Sequence, residues 1–220
     1  MRARRSILLA VLAVQTLGLG ACRTADPDPT VLVRTKGGVE LGASTTHGVV
    51  FLGTTATSGE AEVLAWFGDG PELEPSLVEA IGGGLYSVDV DIDLPAVPLS
   101  FDLPDTSTTL EIRGRDAAGA WVRTTRRADE PTATGLLLLI PDEPLPPASS
   151  GAGVYLRDRR GQLRLVGLLA GRVQIIDSAL ASAAPRERLA AIGPTDLWRL
   201  VSYRRNRHRP APWVYREDLE

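Results

Sequence analysis

Twelve short apolar runs, recurring about every ten residues and separated by glycine-rich or polar breaks, limit this chain to an all-β architecture. They are Val31 to Arg34, Val39 to Leu41, Val49 to Leu52, Glu62 to Phe67, Tyr86 to Ile92, Val97 to Phe101, Thr108 to Arg113, Trp121 to Thr125, Gly135 to Ile140, Gly153 to Arg157, Leu163 to Leu169 and Val173 to Ile176. Valine, isoleucine, threonine and aromatic residues supply them, as suits a pleated, half-buried surface. Gly37-Gly38, Gly68-Asp69-Gly70 and Gly82-Gly83-Gly84 read as turns between them. Such a series builds a sandwich or a barrel. One helix is expected, near the end: Thr195 as N-cap and Asp196 in the first turn precede Leu197, Trp198, Leu200 and Val201 at helical spacing. No repeat of fixed period is present, which argues against propellers and solenoids.

The first 29 residues stand apart from this pattern. Arg2, Arg4 and Arg5 precede an apolar stretch from Ile7 to Val14, and small residues follow up to Cys22, the only cysteine in 220 residues. A basic start, an apolar middle and a small-residue end are the parts of a secretory signal. The apolar core is shorter than the roughly 20 residues a spanning helix needs, and Gln15, Thr16, Gly18 and Gly20 interrupt it. Leu19-Gly20-Ala21-Cys22 resembles the lipobox of bacterial lipoproteins, in which a peptidase cuts before a cysteine that carries a diacylglyceryl group. The resemblance implies a signal peptide over 1–21, lipidation of Cys22 and anchoring at a membrane of the cell envelope. Arg23 stands where some Gram-negative bacteria use aspartate for inner-membrane retention, so the outer membrane is the expected site there. Residues 22–29, with Pro27 and Pro29, form an extended tether.

The mature part has no second cysteine, so packing and not disulfides must hold it. The chain carries a net charge of −3, which becomes −6 once Arg2, Arg4 and Arg5 are lost; nucleic acid is therefore an unfavoured partner. Residues 26–148 hold 20 acidic and 7 basic side chains, whereas 149–220 hold 7 acidic and 13 basic, so the two halves attract. Arg204, Arg205, Arg207, His208 and Arg209 form a basic cluster that suits either a solvated tail or anionic headgroups.

Pro141-Asp-Glu-Pro-Leu-Pro-Pro147 breaks the strand series and leads into Ala148-Ser149-Ser150-Gly151-Ala152-Gly153. The expected organisation is an N-terminal β subdomain over 30–140, a linker over 141–149, and a C-terminal β subdomain over 150–220 that ends in the helix and a basic tail. The stretch from Ser150 through Leu165-Val166-Gly167-Leu168 to Gly171 resembles the nucleophile region of trypsin-like serine peptidases, where a serine in a Gly-x-Ser-Gly-Gly-Pro turn precedes a strand, a hairpin and a Leu-Val-Gly-Ile strand. The resemblance implies two packed β-barrel-like subdomains with a short C-terminal helix, and it puts Ser150 at the nucleophile position.

Two further segments are similar to that family in order. Ser44-Thr45-Thr46-His47 looks like the Thr-Ala-Ala-His segment of the general base, and Asp89 or Asp91, within Val88 to Ile92, matches the strand bearing the orienting carboxylate. In acyl transfer the imidazole takes the serine proton and the carboxylate fixes its tautomer. The pattern also departs from the family. Ala148 replaces the glycine whose N–H helps form the oxyanion hole, and Ala152-Gly153 replaces Gly-Pro. An alternative alignment places Val49 to Ala56 on the strand and loop of the base, with Thr57 where histidine belongs.

Other chemistry finds little footing. Asp89, Asp91 and Asp93 lack the glycine and glutamate of a calcium loop, zinc would need a His or Cys cluster, and Gly82-Gly83-Gly84 is not followed by the Lys-Ser or Lys-Thr of a phosphate loop. No cofactor and no metal are implied. Three readings follow: a lipid-anchored envelope protein whose incomplete, non-catalytic peptidase scaffold serves binding or structure, with the membrane as partner through its anchor and another envelope protein as a candidate partner; an active serine endopeptidase; and a β-sandwich assembly module.

Overall fold

The computed structural model describes residues 28–35, 38–53, 59–65, 72–88, 94–130, 136–176 and 185–207. Twelve strands close into two six-stranded antiparallel barrels. The first consists of β1 (Thr30–Thr35), β2 (Gly38–Thr45), β3 (Gly48–Leu52), β4 (Gly59–Ala65), β5 (Glu72–Gly82) and β6 (Leu85–Val88), in the order β1-β2-β3-β6-β5-β4. Pairing of Val31 with Ala65 and of Val33 with Val63 shuts it. The second consists of β7 (Thr109–Asp116), β8 (Gly119–Arg127), β9 (Leu136–Pro141), β10 (Gly153–Arg157), β11 (Leu163–Ile175) and β12 (Arg186–Ile192). Its order, β7-β8-β9-β12-β11-β10, repeats that of the first barrel strand for strand, and Ile112 opposite Val154 closes it. The duplication is one of topology, carried without any sequence repeat.

Alternation explains the interiors. Along β7, Leu110, Ile112 and Gly114 are buried while their neighbours are partly or fully exposed, as the two-residue period of a half-buried strand requires. Leu110 and Ile112 meet Leu137, Leu139, Val154, Val166 and Leu169 inside the second barrel, and Val31, Val33, Val49, Phe51, Val78 and Val88 fill the first. Gly114 lies opposite Trp121 on β8, and an added methyl group there would come within 2.3 Å of the indole ring, so this position needs glycine to seat the tryptophan.

The barrels divide between β6 and β7, which corrects the expected boundary at 141–149. The proline-rich stretch is instead a loop from β9 to β10 inside the second barrel: its prolines end a strand at the surface and separate no domains. The true connector includes residues 94–101. In place of the ladder strand that the sequence predicts at Val97 to Phe101, it forms only single bridges, one to each barrel. Thr46 N–H donates to Val97 O (3.0 Å) and Val97 N–H to Ser44 O (3.2 Å) on one side; Ser100 N–H donates to Leu165 O (2.8 Å) and Leu165 N–H to Pro98 O (2.9 Å) on the other. The sandwich alternative is excluded by the two closed barrels.

A single apolar cluster spans the junction. Val50, Leu52 and Leu85 of the first barrel meet Tyr155, Leu165 and Leu168 of the second across Val97 and Leu99 of the connector. The expected helix, α1 (Pro194–Arg207), adds Leu197, Leu200 and Val201 to this cluster, each stabilising by about 1.5–3 kcal/mol if wholly withdrawn from water. Pro194 at its first position fixes φ where no N–H is needed, so the helix starts ahead of Thr195 and the expected Thr195 cap is instead a residue of its first turn. Every buried core side chain described lies between Val31 and Val201.

Candidate functional site at the barrel junction

Ser150 lies on an exposed turn that joins the β9–β10 loop to β10. Gly151 N–H donates to Leu169 O at 2.7 Å and Ala152 N–H to Ser149 O at 3.1 Å, which pins the turn against β11. Gly151 has φ +85, and a methyl group on it would stand 2.3 Å from the Leu41 carbonyl oxygen on β2. Only glycine combines that backbone with so close an approach. The second barrel's serine turn therefore abuts the first barrel's second strand.

Ala148 has φ +56 and is the one non-glycine residue at positive φ among the described residues. Its N–H and that of Ser150 have no acceptor among the described residues. The Ser150 hydroxyl donates to Ala170 O at 3.3 Å. Beside this turn a cleft of about 540 Å³ opens between the barrels, walled by Leu32, Val39 and Glu40 on one side and by the β7–β8 corner at Arg115 and Asp116 on the other. Arg115 also pairs with Asp28 at 3.2 Å, tying the chain just ahead of β1 to the second barrel. Further along β7, Glu111 is raised by burial, but hydrogen bonds and charge from Arg113 and Arg157 outweigh that and hold it below the usual carboxylate range.

His47 sits elsewhere. It occupies the two-residue turn between β2 and β3, half-buried, with its N–H donating to Thr45 Oγ1 at 3.1 Å while that hydroxyl donates to Gly48 O at 2.7 Å. Leu41, which meets the serine turn, and Thr45, where the His47 turn begins, are separated by four extended residues, about 13 Å of strand. Among the described residues no imidazole bonds the Ser150 hydroxyl. Val49 to Leu52 lie in β3, directly after the His47 turn. Thr57, Asp89, Asp91 and Cys22 lie outside the described residues.

A second cavity, about 340 Å³, lies where Pro141 to Leu145 cover Arg172 of β11 and Glu187 to Leu189 of β12. Arg172 and Glu187 pair across its mouth at 2.6 Å. Past Ala170, β11 runs on from Gly171 to Ile175 paired with β12 alone among the described residues, so its other edge carries no ladder partner there. The serine turn is legible from its glycine, but neither cavity is, because the walls of the first join Leu32 to Ser150 and those of the second join Pro141 to Leu189, residues far apart in the chain.

Two closed six-stranded barrels of identical strand order match the fold of solved serine proteases. A serine endoprotease from Yersinia pestis superposes with a TM-score of 0.57 at 14% identity, covering 81% of this chain and 64% of that one. The chain has a trypsin-like fold. The Rv3671c protease in an inactive form superposes at 0.54 and 14% identity over 82% of this chain and 90% of that one, and a human pathogenic astrovirus serine protease at 0.54 and 15% over 76% and 91%. At such identity the likeness is one of fold alone, and the trypsin-like domain spans less than two thirds of the Yersinia chain's length. No family model matches the sequence, and no curated protein matches it.

Proposed function

We propose that this chain is a lipid-anchored protein of the bacterial envelope whose trypsin-like domain binds an extended polypeptide segment without cleaving it. One observation carries the non-catalytic reading: the Ser150 hydroxyl is bonded to the Ala170 carbonyl while His47 occupies a turn at the far end of β2. A serine hydroxyl is a weak nucleophile until an adjacent base takes its proton. The whole sequence holds only two histidines, His47 and His208, and the second falls outside the described residues.

The binding reading is supported by the open edge of β11. An extended segment added there would gain main-chain hydrogen bonds, and the cavity beside Arg172 would take one of its side chains. The segment would come from another envelope protein. The anchor rests on Cys22 and the signal-like residues before it, with the outer membrane expected in a Gram-negative cell.

An active serine endopeptidase using Ser150, His47 and Asp89 or Asp91 is the second reading. It is favoured by the open N–H groups of Ala148 and Ser150, where a developing oxyanion would need donors. A fluorophosphonate probe separates the two readings. Folded protein should stay unlabelled; labelling that disappears in Ser150→Ala would establish an activated nucleophile and overturn the binding-only reading. For the anchor, Cys22→Ser should abolish partitioning into detergent, and partitioning that survives would refute lipidation at that residue.

A further inference from the structure

We propose that the serine turn holds the free C-terminal carboxylate of a bound polypeptide, a step that rests on the binding reading and names its ligand: a chain end and not an internal stretch. Ala148 stands at φ +56, a left-handed conformation that an L-residue adopts against steric cost and that recurs at ligand clamps. Turns of this kind direct successive N–H groups into a concavity suited to an anion. The N–H groups of Ala148 and Ser150 have no acceptor among the described residues, and both residues line the cleft of about 540 Å³.

The turn is fixed before any ligand arrives. Gly151 N–H is bonded to Leu169 O at 2.7 Å and Ala152 N–H to Ser149 O at 3.1 Å, while Gly151 abuts the Leu41 carbonyl. Donors held in this way cost little ordering on binding. The Ser150 hydroxyl makes only a long bond to Ala170 O, at 3.3 Å, and is a third donor at the same turn. A peptide carbonyl acquires negative charge only when an activated nucleophile attacks it, and among the described residues no imidazole bonds Ser150. A carboxylate brings its charge ready-made, so donors without a base suit a chain end, as backbone N–H groups do where they capture a C-terminus. Beyond the terminus, the cleft walls carry the carboxylates of Glu40 and Asp116 and one guanidinium, Arg115, which pairs with Asp28 at 3.2 Å. A neutral or basic residue next to the chain end therefore fits better than an acidic one.

The test uses isotope-labelled chain from residue 23 onward, which retains every described core residue. It is titrated with two pools of mixed-sequence tetrapeptides, one ending in a carboxylate and one in a carboxamide, while the amide resonances of Ala148, Ser150 and β11 are followed. Both turn resonances should move with the carboxylate pool. A hydrogen bond to a charged acceptor gains about fivefold over one to a neutral acceptor, so two such bonds predict an affinity about twenty-five-fold lower for the carboxamide pool. Aspartate and asparagine both tolerate positive φ, and Ala148→Asp should weaken binding of the carboxylate pool about tenfold more than Ala148→Asn, through like-charge repulsion. Equal affinity for the two pools, or equal loss in the two variants, overturns the proposal. Shifts confined to 171–175 overturn it while leaving the binding reading in place, and no shift with either pool overturns both. Acetate acting at the concentration of the peptides would reassign the turn to small carboxylates and overturn the polypeptide ligand.

Discussion

Gly151 brings its α-carbon so close to the Leu41 carbonyl that a methyl group added there would lie 2.3 Å from the oxygen. This one contact joins the serine turn of the second barrel to β2 of the first and sets the width of the cleft between them. Gly151→Ala must move β2, or twist the turn out of φ +85, or both. A loss of about 3 kcal/mol or more is expected in denaturant unfolding, since backbone strain and overpacking add. A loss under about 1 kcal/mol would show that the turn and β2 separate easily.

Ala148 offers the opposite case. An L-residue in the left-handed region carries a strain of about 1–2 kcal/mol, partly offset by the lower entropy alanine has in the unfolded chain. Ala148→Gly should therefore stabilise the domain by up to about 1 kcal/mol in thermal unfolding. It should not by itself create fluorophosphonate labelling, because the missing partner at Ser150 is a base and not a donor. Destabilisation by this change would mean that the alanine methyl group makes a contact worth more than the strain.

The acid sensitivity of the second barrel should trace to Glu130. Hydrogen bonds from Arg188, at 2.6 and 3.1 Å, hold its carboxyl below the usual carboxylate range, with burial opposing. Since the folded state lowers this pKa, the ion pair stabilises fully above the unfolded value of about 4.3, and that stabilisation is lost as pH falls through the lower folded value. Glu130→Gln should cost about 1 kcal/mol at neutral pH and flatten the decline of stability on acidification. An unchanged acid profile in the variant would move the sensitivity to another carboxylate, with Glu111 next in line because Arg113 and Arg157 depress it in the same way.

Strands that alternate, such as β7, are legible because the period of two survives in the residues themselves. Two strands are not. β5 carries Pro75 and three glutamates and β12 reads Arg-Glu-Arg-Leu-Ala-Ala-Ile; neither has β-rich composition, and both exist because closing a barrel leaves a gap that only a strand fills. Leu163 to Leu169 and Val173 to Ile176 look like two strands because Gly171 sits between them, yet they form one strand with a register shift there. The domain boundary is misread for a related reason. Prolines at 141–147 mark where a strand ends, while the real connector, bonded to both barrels, is as apolar and extended as a strand. At the site, the serine turn is visible from Gly151, but the position of His47 depends on whether it precedes or follows β3, and Thr46-His47 between two strands is the turn before it.

The same connector supplies the last expectation. Leu99 is 6% exposed, belongs to the cluster shared by both barrels and α1, and is flanked by the backbone bonds of Pro98 and Ser100 to Leu165. Leu99→Ala should cost about 2–5 kcal/mol, because the cavity it leaves is enclosed by β strands that cannot collapse without breaking their own ladders. If the shared cluster makes the barrels one cooperative unit, the variant unfolds in a single transition whose midpoint is lower and whose denaturant dependence is unchanged. If each barrel is stable by its own interior, weakening the junction splits unfolding into two steps, seen as separate transitions by tryptophan fluorescence and circular dichroism. The single transition is expected, because Val97 and Leu99 of the connector and Leu197, Leu200 and Val201 of α1 are buried between the barrels and not within either.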